Sequence, residues 1–204
     1  MNNEYRQLTL SDLEPMAQVL AQSFEEDPLV SFILPNKKTR VKTVAKFFRA
    51  IGRLNIRAGS AFGIGEPLQG VAVWSFPNKP EASATPKDLL TFLPVLFSPY
   101  PFGVRRARAV LSQIDANHKK HAPEPHFYLD NLGVLASARG KGLSSKLIRP
   151  FLQMADEQQV IAYTDTVTDV NVPLYQHFGF DLVESNFIAS TGITTYALRR
   201  TPRQ

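Results

Sequence analysis

The chain has 204 residues, of which 44% are hydrophobic, so it is long enough to form one domain with a sizeable core. It contains no cysteine, which excludes disulfides, thiolate metal ligands and a cysteine nucleophile. The net charge of +5 fits an anionic partner, either nucleic acid or a phosphorylated cofactor, and it also fits simple solubility. No apolar run approaches the roughly 18 residues of a membrane span, and the start lacks a signal-peptide pattern. We therefore expect a cytoplasmic protein with no membrane partner.

The first part of the chain predicts a short strand, two helices and a hairpin. Residues 5–8 form the strand, and the S-x-x-E pattern of Ser11 and Glu14 matches a capping box that begins the first helix. Asp27 and the proline after it end this helix, and a second helix follows over residues 38–57. The segments SAFGIGE and GVAVWSF then have the composition of two paired strands.

The second part predicts an alternation of strands and helices. Residues 78–125 form a proline-rich helical insertion, for which we predict two helices around a bend. The segment PHFYLDNLGV predicts a strand, and a helix that contains Pro150 follows over residues 140–158. VIAYTDTV, FDLVES and ITTYALR predict further strands, with a short helix at residues 170–178. This order predicts one α/β domain over residues 1–204, with a mixed sheet and helices on both faces.

The stretch SARGKGLSSKL lies where the predicted strand ending at Val134 gives way to a helix. Unpaired N–H groups at a helix start, with the positive end of the helix dipole, form a site for phosphate oxygens. Gly140 and Gly142 would let an anion approach the backbone, and Arg139 and Lys141 add positive charge. The alternative is an ordinary loop with two solvated basic residues. The glycine spacing matches neither a Walker loop nor a Rossmann fingerprint.

The block LGVLASARGKGLSSKL resembles the cofactor-binding motif of the GNAT superfamily of acetyl-CoA-dependent N-acetyltransferases, Q/R-x-x-G-x-G/A. Arg139, Gly142 and Ser144 occupy its three defined positions, with serine where glycine or alanine is usual. NVPLYQHFGF resembles the family's N-x-x-x-Y-x-x-x-GF ending, with Asn171 and Tyr175 in register. The spacing of DPLVSFILP, VAVWSFP and EPHFYLDNLGV is similar to the puromycin-acetyltransferase branch.

This resemblance implies a mostly antiparallel central sheet that splays at the site of acetyl-CoA. It implies that amides near residues 139–144 hold the pyrophosphate, and that the pantetheine arm pairs with the backbone of residues 132–134, where an amide near Leu132 would bind the thioester carbonyl. Asn171 would orient the short helix and contact the cofactor. The implied cofactor residues are Leu132, Gly133, Val134, Arg139, Gly140, Lys141, Gly142, Leu143, Ser144 and Asn171.

Two residues are the candidate catalytic groups. Tyr175 is the predicted general acid for the departing thiolate, and packing under the sheet is its alternative role. In HFYLDNL, strand alternation places His126, Tyr128 and Asp130 on one face, and Asp130 lies nearest the splay. Asp130 is therefore the first candidate for the base that deprotonates the amine, and a solvent-facing or helix-capping carboxylate is its alternative role. His126 is the second candidate, with a surface or core role as its alternative. Without cysteine, direct attack by the amine is the expected mechanism.

The predicted function is acetyl transfer to a primary amine of a small molecule. A protein or peptide acceptor and a non-catalytic acyl-CoA sensor are the alternatives. The protein would be a monomer or a homodimer. The basic run at residues 105–108 more often marks a solvated helix face than a nucleic-acid site, and His118 with His121 lacks a third metal ligand, so we expect neither nucleic acid nor metal. The candidate acceptor walls are Phe24, Phe32, Trp74, Phe97, Tyr100 and Phe102, and core packing explains Phe24 and Trp74 equally well.

Overall fold

The computed structural model describes residues 4–77 and 85–203, and those residues contain seven strands and eight α-helices. The strands are β1 (Arg6–Gln7), β2 (Ala61–Ile64), β3 (Gly70–Ser75), β4 (Phe127–Val134), β5 (Ala162–Thr166), β6 (Asp181–Ile188) and β7 (Ile193–Arg200). The helices are α1 (Leu13–Ser23), α2 (Pro28–Ile33), α3 (Lys37–Arg57), α4 (Pro86–Leu96), α5 (Tyr100–Arg106), α6 (Arg108–His121), α7 (Leu143–Glu157) and α8 (Val172–His177).

The strands join in one sheet with the order β1-β2-β3-β4-β5-β7-β6. Neighbouring strands run antiparallel except β4 and β5, which are parallel. A parallel pair needs a long crossover connection, and α7 supplies it between these two strands. The predicted α/β fold, with a mixed and mostly antiparallel sheet and helices on both faces, is thereby confirmed.

Each face of the sheet carries its own hydrophobic core. α7 and α8 cover one face, where Trp74, Phe127 and Leu147 are buried. α1 and α3 cover the opposite face, where Met16 and Leu20 are buried, and α6 packs on β5, β6 and β7. The indole N–H of Trp74 donates to the Leu147 carbonyl at 3.1 Å, so this buried polar atom has a partner. Burial of one side chain such as Leu147 contributes about 2 kcal/mol to the stability of the fold. The many buried side chains of the two cores therefore make a large favourable contribution.

The first helical segment begins differently from the prediction. Thr9 and Asp12 form the capping box, since the Thr9 backbone N–H donates to the Asp12 carboxylate at 2.8 Å. Ser11 instead bonds the Thr9 hydroxyl, and Glu14 pairs with Arg49 at 2.6 Å. The predicted box was therefore wrong by two residues, because the preceding T-x-x-D pattern satisfies the backbone groups at the start of this segment.

A helix absent from the prediction follows the end of α1. The Asp27 carboxylate accepts hydrogen bonds from the backbone N–H groups of Leu29 and Val30, at 2.9 and 3.0 Å, and so caps α2. The aspartate and proline predicted to end the first helix begin α2 instead, because α1 already ends at Ser23 and proline is compatible with the first turn of a helix. This short connection holds α1 and α3 against each other.

The proline-rich insertion also differs from the prediction of two helices. The described part holds three, α4, α5 and α6, because Pro99 and Pro101 lie at the start of α5 instead of forming only a bend. Residues 78–84 lie outside the described residues. Across residues 4–77 and 85–203, no helix is both long and apolar enough to cross a lipid bilayer.

A bidentate ion pair fastens the last strand to α7. Arg200, whose side chain is almost completely buried, donates to both oxygens of the Asp156 carboxylate at 2.7 and 2.8 Å. The backbone N–H of Arg203 donates to the same carboxylate at 2.8 Å. These hydrogen bonds hold the pKa of Asp156 below its usual value. They fix the helix that carries the glycine turn at its amino end.

Replacing Asp156 with alanine is expected to destabilise the protein by about 3 kcal/mol, because the buried guanidinium would lose its counter-ion. Asp115→Ala is a matched control, since Asp115 also lies in a helix but pairs with Lys119 at an exposed site. That control should cost less than about 1 kcal/mol. Urea unfolding of both variants measures the difference. Equal losses of unfolding free energy in the two variants would contradict a larger contribution of the Asp156–Arg200 pair.

Candidate active site

The parallel pair of strands opens into a gap. Pairing between β4 and β5 begins at Phe127 and stops at Leu129, which faces Thr164. β4 nevertheless continues to Val134 and stays paired with β3 on its other side. The Thr164 hydroxyl closes the junction by donating to the Leu129 carbonyl at 2.9 Å. The backbone of residues 130–134 therefore borders a gap on the β5 side, where an extended ligand can pair with it.

A β-bulge in β4 lies at the mouth of this gap. Val73 of β3 pairs with Asn131 and Trp74 pairs with Leu129, so Asp130 is the extra residue. Directly opposed residues share a face, so Asn131 lies on the α1 face with Val73, and Leu129 lies on the α7 face with Trp74. The predicted strict alternation, which placed Asn131 and Leu129 together, is wrong because the bulge shifts it by one residue. Asp130 is exposed at this point.

The glycine turn connects the end of β4 to α7. Gly140 and Gly142 have φ angles of +76° and +72°, a backbone region that other residues rarely adopt. Gly142 in this conformation precedes the helix, so α7 begins at Leu143 and not at residue 140 as predicted. No atom lies within 4 Å of an ideal Cβ at either glycine, so the space beside these amides is open. The unpaired N–H groups and the helix dipole make this turn suitable for an anion.

The other predicted cofactor residues lie around the turn and the gap. Leu143 is buried in the α7 core, which leaves only its backbone N–H for a ligand. Arg139 donates from Nε to the Val134 carbonyl at 3.4 Å, which keeps its side chain beside the strand end. Asn171 donates to the Thr166 hydroxyl at 3.2 Å and so joins the start of α8 to the end of β5. The residues on β4 are Leu132, Gly133 and Val134, and those on the turn or the first turn of α7 include Gly140, Lys141, Gly142 and Ser144.

A cavity of about 1520 Å³ passes through the gap and is lined from both faces of the sheet. On the α7 and α8 side it is lined by Arg139, Ser144, Asn171, Leu174 and Tyr175. On the other side it is lined by aromatic residues at the end of α1, on α3 and on α5, by His118, and by carboxylates from four different segments. These carboxylates belong to Glu26, Asp27, Glu124, Asp130 and Asp165. The arrangement suits two ligands that meet in the gap, one from each face.

Tyr175 lies on α8 and contributes both to the core and to the cavity lining. Its ring packs edge-on against Phe180, with ring centroids 6.0 Å apart. Burial raises the pKa of Tyr175 to about 12, and a hydrogen bond with Thr164 opposes that shift. The phenol therefore stays protonated at neutral pH. Packing and acid–base chemistry, which the sequence left as alternatives, both fit this position.

Asp165 is a cavity carboxylate that the sequence prediction missed. It lies on β5 one residue beyond the last position paired with β4, and its Oδ1 accepts a hydrogen bond from the Tyr163 hydroxyl at 2.7 Å. Burial raises the pKa of Asp165 to about 7, partly offset by hydrogen bonds from Tyr163 and Tyr128 and increased by the charge of Asp130. A polar residue at the end of the strand segment AYTDT was the available signal, but its burial depends on tertiary packing.

Aromatic side chains form the wall of the cavity on the α1 side. Phe24 and Tyr100, both predicted as walls, line it together with Phe47 and Phe48, which the sequence prediction missed. Phe47 stacks on Tyr100 with ring centroids 4.8 Å apart. The prediction was wrong for the other four residues: Trp74 is buried in the α7 core, Phe32 packs with the α1–α3 core, and Phe97 and Phe102 are exposed. The sequence does not reveal Phe47 as a cavity residue, because residues of one apolar helix stripe have the same spacing whether they face the core or the cavity.

The histidines of α6 have different partners. His118 Nε2 lies 2.7 Å from His126 Nε2, and the His118 ring stacks on Tyr163 with centroids 4.9 Å apart. His121 instead bonds Glu184. Within the described ranges, no group of three or more potential metal ligands comes together. His126, the second candidate base, also bonds the carbonyl of residue 124 through Nδ1, at 2.7 Å.

A family model described as the acetyltransferase (GNAT) family matches residues 92–180, a range that includes the glycine turn and the tyrosine motif. An uncharacterized N-acetyltransferase of Schizosaccharomyces pombe is 24% identical over 193 residues, which cover 90% of this chain and 76% of that protein. Residues 92–180 are therefore similar in sequence to the acetyltransferase (GNAT) family.

Solved structures share this fold at low sequence identity. A Corynebacterium glutamicum structure, described as histone acetyltransferase HPA2 and related acetyltransferase, has a TM-score of 0.68 at 19% identity and covers 100% of this chain and 98% of its own. The polyamine N-acetyltransferase of Drosophila melanogaster, which forms N-acetylagmatine, has a TM-score of 0.61 at 15% identity, with 97% and 98% covered. None of these four matches bears on the puromycin-acetyltransferase branch, which stays a prediction.

Replacing Asp165 with asparagine is expected to stabilise the protein near neutral pH. The pKa of Asp165 is raised from 3.8 to about 7, so the native state binds this proton more tightly than the unfolded chain does. Wild-type stability should therefore fall relative to the variant as the pH rises from about 4 to about 7. Melting temperatures across this range measure the effect. Asp181→Asn, at an exposed position of β6, is the control and should show no such trend. A pH-independent difference for Asp165→Asn would contradict the buried-carboxylate account.

Proposed function

We propose that the protein transfers an acetyl group from acetyl-CoA to a primary amine of a small molecule, by direct attack of the amine. The observation that carries this proposal is the continuous cavity through the β4–β5 gap, which connects Tyr175 and the residues on either side of the glycine turn, Arg139 and Ser144, with an acidic, aromatic pocket. The GNAT relationship supports the reaction class. The similar Drosophila enzyme, which forms N-acetylagmatine, supports a small amine as acceptor.

In this proposal, the amides of residues 140–144 hold the pyrophosphate of coenzyme A. The open space beside Gly140 and Gly142 fits such a group, and Arg139 and Lys141 add positive charge beside it. The backbone of residues 132–134 pairs with the pantetheine arm in the way that an added strand would. Acetyl-CoA supplies the acetyl group as an activated thioester. A backbone amide near Leu132 donates to the thioester carbonyl and stabilises the charge that develops there.

The acceptor enters from the opposite face of the sheet. Phe24, Phe47 and Tyr100 provide apolar and aromatic surface, and the cavity carboxylates provide negative charge for an ammonium group. This combination favours a compact amine with an apolar or aromatic body. A protein substrate would need an open groove, whereas this cavity is lined by aromatic side chains from the end of α1, from α3 and from α5.

Tyr175 is the proposed proton donor for the departing sulfur. A thiol in water has a pKa of about 8.5, so a phenol with a pKa near 12 would be a weak donor to a solvated thiolate. The apolar surroundings that raise the pKa of Tyr175 also raise the pKa of a thiol placed beside it. The two groups therefore remain close enough in acidity for proton transfer as the bond breaks.

Two measurements test the function directly. Isothermal titration with coenzyme A should show binding at sub-millimolar concentration, and a thiol-release assay with acetyl-CoA over a library of amines should identify acceptors. Absence of coenzyme A binding would overturn the proposal. Binding without thiol release from any amine would favour the acyl-CoA sensor.

Gly142→Ala is expected to weaken coenzyme A binding about tenfold, because a Cβ would both strain the turn and occupy the open side of the amides. Gly192→Ala is the matched control, since Gly192 has a φ of +70° and equally open surroundings but lies in the β6–β7 turn. Both variants should lose similar stability, while only Gly142→Ala loses affinity in isothermal titration. Equal affinities would show that the turn does not hold the cofactor.

Tyr175→Phe is expected to lower kcat about 100-fold while the affinity for coenzyme A stays within a factor of two to three, because the ring that packs in the core is kept and only the hydroxyl is removed. Steady-state kinetics and titration measure the two quantities separately. Unchanged turnover would remove Tyr175 from the mechanism.

A further inference from the structure

Asp165 occupies a distinctive position in the cavity. It follows Thr164, the last residue of β5 that pairs with β4, so its carboxylate lies where the two strands separate. The Tyr163 hydroxyl donates to Oδ1 at 2.7 Å, and the Tyr128 hydroxyl donates to Oδ2 at 3.5 Å. A carboxylate has about four acceptor positions, so two donors orient it and leave positions for another N–H group.

Among the described residues, the groups that interact with the Asp165 carboxylate include no cation. The groups that set its ionisation are Tyr163 on its own strand and Tyr128 and Asp130 on β4, and Asp130 carries the same negative charge. β7 places Ala197 opposite Asp165, and Tyr175 on α8 interacts with it from the other side. From α6, His118 stacks on Tyr163 instead of pairing with the carboxylate, and Asp27 approaches the segment through Thr168. The two tyrosine hydroxyls thus orient the Asp165 carboxylate and leave it able to accept from an ammonium group.

We propose that Asp165 binds the ammonium group of the acceptor and receives its proton. This assignment rests on the proposed function. It differs from the sequence-based expectation, in which Asp130 itself was the first candidate base. Asp130 lies on an exposed bulge, whereas Asp165 is held by two hydroxyl groups inside the cavity.

The proton balance of the step is simple. One proton passes from the ammonium nitrogen to an Asp165 oxygen and later leaves to solvent. The freed nitrogen pair forms the N–C bond to the acetyl carbon while the C–S bond breaks and its electrons stay on sulfur. Tyr175 donates a proton to sulfur, and the second proton lost by nitrogen restores Tyr175. The products are the acetylated amine, a free thiol and one released proton.

The acidity of Asp165 suits this role. Its pKa of about 7 makes the carboxylate a far stronger base than an exposed aspartate, and a general base is most effective when its pKa lies near the working pH. A bound ammonium group favours the ionised form of Asp165, which is the form that can accept a proton. Asp27 is less suitable, because its Oδ1 already accepts two backbone hydrogen bonds that cap α2.

The test compares Asp165→Asn with the wild type on two probe acceptors. Phenethylamine arrives as an ammonium ion, whereas aniline is neutral at pH 7 and needs no prior deprotonation. The variant should lose about 100-fold or more in kcat/KM with phenethylamine but less than about tenfold with aniline. Asp181→Asn is the control for both. Equal losses on the two amines, or no loss, would overturn the assignment.

Asp130→Asn separates the two carboxylates. If Asp165 is the base, removing the Asp130 charge should lower the pKa of Asp165 and move the acidic limb of the kcat/KM profile to lower pH while turnover persists. Carboxyl NMR titration of Asp165 should show the same shift without any substrate. If Asp130→Asn loses turnover while the pKa of Asp165 in the NMR titration stays the same, Asp130 and not Asp165 is the general base. A wild type that binds coenzyme A but acetylates neither probe nor any library amine would overturn the proposed function itself, which is a different result.

Discussion

The parting of β4 from β5 after Leu129 is the constraint on which the site depends. Each strand is already paired on its outer side, β4 with β3 and β5 with β7, so neither can move without breaking its own ladder. A backbone edge that loses its partner must find other hydrogen-bonding groups. Thr164 satisfies the last carbonyl of the pairing, and the edge beyond it is left for a ligand. The gap is thus a product of sheet geometry and not of a flexible loop.

The two faces of the sheet contribute different chemical groups to the gap. The α7 face contributes the glycine turn and Tyr175, which suit an anionic cofactor and a departing thiol. The opposite face contributes aromatic rings and carboxylates, which suit a cationic acceptor. In the proposed reaction the two ligands approach from opposite sides, so the walls of the acceptor pocket could change without altering the turn at Gly142.

Asp165 illustrates the conflict between stability and function at such a site. A buried carboxylate with no cationic partner costs stability at neutral pH, and its removal should stabilise the fold. Its raised pKa is also what makes it a useful base in the proposed reaction. The Arg200–Asp156 ion pair, by contrast, stabilises the fold, because it connects the end of β7 to α7, the helix that follows the glycine turn.

The sequence by itself determined the features that depend on local spacing. The hairpin, the strand before the turn and the glycines at 140 and 142 followed from residue patterns, as did the GNAT resemblance. The tertiary structure alone decided that β4 bulges at Asp130, that Phe47 faces the cavity while Trp74 is buried in the core, and that Asp165 is enclosed. These features depend on which neighbours surround a side chain. Spacing along the chain records periodicity, but burial and charge are set by contacts between segments far apart in sequence.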